Sequence, residues 1–88
     1  MSDFRNHLAR MLENPEFQKE YENGKAEYEV TRALVAARIE QNLTQAQLAE
    51  RSGVRQSNIS RIENGTCSPT IATLEQLATG MGKKLRIE

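Results

Sequence analysis

The chain has a single cysteine, Cys67, so no internal disulfide can form, and it contains no apolar run approaching the ~20 residues that cross a bilayer. Residues 1–10 lack the apolar segment and small-residue cleavage site of a secretory signal. These absences place the expected location in a reducing cytoplasm. His7 is the one histidine, with no cysteine near it in sequence, which argues against a metal site. Neither a glycine-rich phosphate loop nor a nucleophile-base pair is visible, and 88 residues make one small domain in which an enzyme would be cramped. No cofactor and no catalytic residue is expected.

Charge of one sign is missing too: 12 Lys and Arg balance 12 Asp and Glu. Net neutrality counts against a nucleic-acid partner, whose affinity comes largely from neutralising phosphates. The distribution answers part of that objection. Residues 1–30 carry seven acids against four bases, whereas residues 31–88 carry eight bases against five acids. A weakly basic monomer would still hold DNA poorly, so two copies on a two-fold operator are expected, each with a few phosphate contacts.

What the chain does have is concentrated in residues 43–65, LTQAQLAERSGVRQSNISRIENG. Thr44 is a natural helix N-cap, and Gln45 to Arg51 follow as helix formers with Leu48 and Ala49 facing inward. Ser52-Gly53 supplies a turn in which Gly53 can take the left-handed conformation of a tight helix-to-helix connection. A second helix is predicted from Arg55 to Asn64, with Val54, Ile59 and Ile62 inward and Gln56, Ser57, Asn58, Ser60 and Arg61 mostly outward. Amides, hydroxyls and a guanidinium on one exposed face suit the donor and acceptor pattern of a DNA major groove.

Around this unit the periodicity predicts further helices. Phe4, Leu8, Met11 and Leu12 form one stripe of a short amphipathic helix beginning after Ser2 or Asp3. Asn14-Pro15 ends it and caps the next, which carries Phe17 and Tyr21 one turn apart. Gly24 interrupts the pattern, and Lys25 to Glu40 resumes it with Tyr28, Leu34, Val35, Ala37 and Ile39 available for burial. Thr70 caps a last helix running to about Gly80, with Ile71, Leu74, Leu77 and Ala78 on one face. Lys84-Leu85-Arg86-Ile87 alternates and fits a short terminal strand.

Residues 30–82 resemble the phage-repressor-like (Cro-type, XRE) helix-turn-helix family in TQ-x-x-LA-x-x-x-G, in QSNISRIENG and in the following P-T-x-x-T-L-x-x-LA. The resemblance implies an all-α bundle of about five helices, here with an N-terminal helical extension. It also implies a double-stranded DNA partner. By that likeness Gln45 touches a phosphate and braces Gln56 against adenine, and Ser57 and Arg61 make base or phosphate contacts. Thr44, Arg55, Asn58, Asn64 and Thr66 complete the DNA interface. Arg38 and Glu63 match positions that form a partly buried ion pair, a structural role.

From Asn14 to Gly65, and in the ending LATGMGKKLRIE, the chain is similar to antitoxins of the HigA type. That likeness implies a small basic ribonuclease toxin of the RelE/HigB kind as partner, with repression of the shared promoter. The chain then divides into an acidic, amphipathic extension (1–24), a DNA-binding domain (25–82) and a tail (83–88). On this reading Phe4, Leu8, Met11, Leu12, Phe17 and Tyr21 form a partner-binding arm. The same stripes also fit extra core, as in a stand-alone regulator of the family. A protein-bridging adaptor, the third alternative, would not need the amide and guanidinium set of Gln56 and Arg61.

Overall fold

The computed structural model describes residues 3–84, and side chains from Asn6 to Gly82. Among the described residues there are six helices: α1 (Asp3–Glu13), α2 (Pro15–Glu22), α3 (Glu27–Glu40), α4 (Gln45–Ser52), α5 (Gln56–Glu63) and α6 (Ile71–Lys84). No strand occurs among the described residues. The terminal strand expected at 84–87 falls beyond them from residue 85 onward, and Lys84 itself ends α6.

Local chemistry sets most boundaries. The Asn14 side chain accepts from the Glu16 amide at 2.9 Å, and Pro15 occupies the first turn of α2, where a missing N–H costs nothing. α2 gives way to a turn in which Gly24 has φ +79°. At the start of α4 a capping box closes: the Thr44 hydroxyl accepts from the Gln47 amide at 3.0 Å, and the Gln47 side chain accepts from the Thr44 amide at 2.9 Å. Gly53 ends α4 in the left-handed conformation, φ +80°. The Thr70 hydroxyl accepts from the Thr73 amide at 3.1 Å at the start of α6.

One continuous core joins all six helices. α1 packs on α3 and α6, α4 packs on α5 and α6, and α5 rests on α3. Leu8, Leu34, Leu48, Ile59, Leu74, Leu77 and Met81 are fully enclosed. The inward residues expected of the central unit, Leu48, Val54, Ile59 and Ile62, are all buried, with Ala49 packed against them.

Three expectations are corrected. Helix α6 does not stop at Gly80 but continues to Lys84, because Gly80 and Met81 are buried against neighbouring elements and this packing outweighs glycine's poor helix propensity. On α3, Tyr28 and Ile39 are exposed, at 75% and 59%, and Val35 is half-buried. Leu34 and Ala37 are buried as expected, and Ala26, Val30 and Ala33 complete the inward stripe where α1, α5 and α6 pack on α3.

The third correction concerns the N-terminal segment. Leu8, Met11, Leu12 and Tyr21 belong to the core, and Phe17 is partly buried against it, so these side chains are used by the fold and not presented to a partner. The side chain of Phe4 lies outside the described set. Helix α1 packs on both α3 and α6, where burying its apolar stripe removes more surface from water than a free arm could.

Candidate nucleic-acid interface

Helices α4 and α5 are joined by the three residues Gly53 to Arg55, with Val54 buried between them. The Val54 amide donates to the Ser52 hydroxyl at 3.1 Å, which fixes the path out of the turn. Arg55 then takes an extended conformation as N-cap of α5 without a side-chain capping bond. Helical geometry places Ser57, Ser60, Arg61 and Asn64 opposite the buried pair Ile59 and Ile62, with Gln56 and Asn58 at the edges of that face. Arg55, Gln56, Ser57, Asn58, Arg61, Asn64 and Thr66 are exposed, and Ser60 is half-buried.

The only acid in α5, Glu63, is held away from this face. Its carboxylate accepts from Arg38 Nε at 2.8 Å and Nη2 at 2.9 Å, while Arg38 Nη1 donates to the Leu43 carbonyl at 2.8 Å. The two side chains are 15% and 7% exposed. The expected ion pair is therefore present, in the forked two-bond geometry that orients as well as attracts. It ties the last turn of α3 to the end of α5 and to the turn leading into α4.

Gln45 has a partner within the chain that the sequence did not announce. Its Nε2 donates to Glu63 Oε1 at 2.9 Å, joining the Arg38 cluster. Eighteen residues separate the two in sequence, and no local pattern announces the contact. Thr44 is exposed beside it and engaged in the capping box. Gln47's part in that box was missed from sequence, although its T-x-x-Q spacing is the pattern that marks one.

Beyond α5, Gly65 adopts φ +78° and the chain turns through Thr66 to Pro69. The Thr66 amide donates to the Arg61 carbonyl at 2.8 Å. Two side chains from the N-terminal half reach this loop: Ser68 Oγ donates to Glu27 Oε2 at 2.7 Å, and the Tyr21 hydroxyl donates to the Pro69 carbonyl. Neither contact was expected from sequence. Among the described residues, no group of three or more His, Cys, Asp or Glu could hold a metal ion, and no helix is long and apolar enough to cross a membrane.

This arrangement is two short helices set by a tight glycine turn, the second exposing a polar face and bolted at its end to the helix before the pair. Residues 34–87 match the family described as helix-turn-helix. The chain belongs to that family, in its XRE-type form. This helix-turn-helix protein is 42% identical over 52 residues to HTH-type transcriptional regulator y4dL of Sinorhizobium fredii, covering 59% of this chain and 26% of that one. It is 41% identical over 54 residues to an HTH-type transcriptional regulator of Haemophilus influenzae, covering 61% and 55%. With antitoxin HigA1 of Mycobacterium tuberculosis the identity is 31% over 74 residues, covering 84% of this chain and 50% of the relative. The helix-turn-helix protein thus spans between 26% and 55% of the length of these relatives. No solved structure matches it.

Proposed function

We propose that this chain is a sequence-specific transcriptional repressor that binds double-stranded operator DNA as a homodimer in the cytoplasm, with α5 as its reading helix. The observation that carries this reading is the exposed polar face of α5, whose one acid is withdrawn into the Arg38 cluster. An amide at Gln56 can bond adenine through two hydrogen bonds, Arg61 can do the same with guanine, and Ser57 can meet a base or a phosphate. Thr44, Arg55, Asn58, Asn64 and Thr66 flank that face as backbone contacts. Gln45 keeps a second amide hydrogen for a phosphate while its first goes to Glu63. The test is binding to duplexes selected from a random pool by the wild-type chain. Gln56→Ala is expected to lose ~1 to 3 kcal/mol on the selected duplex and little on random DNA; an equal loss on both would remove base reading.

We further infer that the repressor is the antitoxin of a toxin-antitoxin pair, neutralising a RelE/HigB-like ribonuclease and repressing its own operon. The match to HigA1 supports this, because 74 residues of an 88-residue chain necessarily include α2 and α3 in full. A toxin would meet exposed residues of the N-terminal half, since the apolar stripe of α1 is enclosed. That enclosure also favours a second reading, a stand-alone regulator whose N-terminal helices only complete the core. Co-expression with the adjacent reading frame separates the two. Growth arrest relieved by this chain supports the antitoxin, and absence of arrest with repression intact supports the stand-alone regulator.

A further inference from the structure

The loop Thr66 to Pro69 leaves the end of α5 without lying flush on the helix behind it. A surface cavity of about 300 Å³ separates them, walled by Glu27, Tyr28 and Thr31 on one side and by Asn64, Gly65 and Cys67 on the other. A segment that spans a gap is held by its few cross-links. Here two come from residues 41 and 48 positions distant: Glu27 accepts from the Ser68 hydroxyl, and the Tyr21 hydroxyl donates to the Pro69 carbonyl. Tyr21 is 7% exposed and packed in the core, so its ring is a fixed post and its hydroxyl a fixed anchor. Helix α2 therefore has a reason to be present that core filling alone does not supply.

We propose that Tyr21 is a positioning residue for DNA binding, anchoring the loop after α5 so that Asn64 and Thr66 are set at the height of the DNA backbone, with the Glu27–Ser68 bond as its second tie. The proposal rests on the reading of Asn64 and Thr66 as phosphate contacts. Its physical content is preorganisation: a loop already fixed before DNA arrives loses less conformational freedom on binding. The phenol is well suited to the task, since burial first and then its neighbours Glu27 and Cys67 disfavour its ionised form.

The experiment uses the full chain, a duplex selected from a random pool by the wild-type chain, and fluorescence anisotropy as the readout. Tyr21→Phe keeps the ring and removes only the hydroxyl. It is expected to weaken binding about 3- to 10-fold, the range of one lost hydrogen bond, with the helical circular dichroism spectrum unchanged. The loss should vanish in a background lacking both contacts, Asn64→Ala with Thr66→Ala, and persist in full in a Gln56→Ala background, because only those two contacts depend on the anchor. The slope of binding against salt should stay as in the wild type, because Asn64 and Thr66 are uncharged and neutralise no phosphate.

Wild-type affinity in Tyr21→Phe, or a loss that adds independently to that of the Asn64→Ala, Thr66→Ala double variant, overturns the positioning role. Should Tyr21→Phe unfold the chain, Ser68→Ala is tested in its place, with the same non-additive loss expected and wild-type affinity counting against the proposal. If Asn64→Ala and Thr66→Ala themselves bind as wild type, the interface reading fails first and takes the anchor with it.

Discussion

Gly80 of α6 lies directly against Ser52 at the end of α4: a Cβ built on Gly80 would sit 2.8 Å from the Ser52 Cβ and 2.9 Å from its Cα. Gln76, one turn earlier on α6, donates to the Ser52 carbonyl at 3.4 Å across the same crossing. The crossing sets how closely α6 supports the two-helix unit. Gly80→Ala is therefore expected to destabilise the chain by ~1 to 3 kcal/mol in urea denaturation, although alanine on an open helix would gain about 1 kcal/mol over glycine. A stabilised variant would show that α6 can move away from Ser52 freely.

Removing one side of the Arg38–Glu63 pair should be much worse than removing both. Glu63→Ala leaves the largely enclosed Arg38 guanidinium, 15% exposed, without its carboxylate and also frees Gln45, at an expected cost of ~3 kcal/mol. The double variant Arg38→Met with Glu63→Leu should recover most of that stability, read from the same urea curves. Its operator affinity should remain low, because the end of α5 has lost the contact that orients it.

Leu8 is fully enclosed, so Leu8→Ala is expected to cost ~2 to 5 kcal/mol of unfolding free energy. Thermal denaturation of the full chain checks this. A change below about 1 kcal/mol would mean that α1 detaches readily and is free to act as the arm that its amphipathic sequence suggests.

The phenol of Tyr21 titrates above its ordinary value, through burial first and then the charges of Glu27 and Cys67. The protonated form is the one that the folded state favours. Its contribution to stability is complete below the unfolded value of about 10 and is lost as pH rises through the higher folded value. Denaturation between pH 9 and 12 should show wild-type stability falling more steeply than that of Tyr21→Phe, by about one proton in slope. Parallel curves would place the phenol in a solvated position in solution.

The sequence by itself determined the helices and most of their ends, though not where α6 stops. Thr44, Asn14-Pro15, Gly53 and Thr70 act on amides within one turn of themselves, so their effect is written locally and is realised in the structure. The inward set Leu48, Val54, Ile59 and Ile62 was legible for the same reason, because a helical period names a face before anything packs on it. The Arg38–Glu63 pair spans 25 residues and was reached through resemblance, not through any local pattern.

Only the tertiary structure decided which of two apolar stripes is covered. Periodicity named Tyr28 and Ile39 alongside Leu34 and Ala37, and the covered side is the one where Leu34 and Ala37 join Val30 and Ala33 against α1, α5 and α6. It likewise turned the α1 stripe from a prospective arm into core, carried α6 through Gly80 to Lys84, and joined Gln45 to Glu63 and Tyr21 to Pro69. Each of these depends on where two distant segments meet. A helical pattern specifies that a face is apolar or a side chain polar, but the neighbour that buries it or bonds it is fixed only when the whole chain closes around one core.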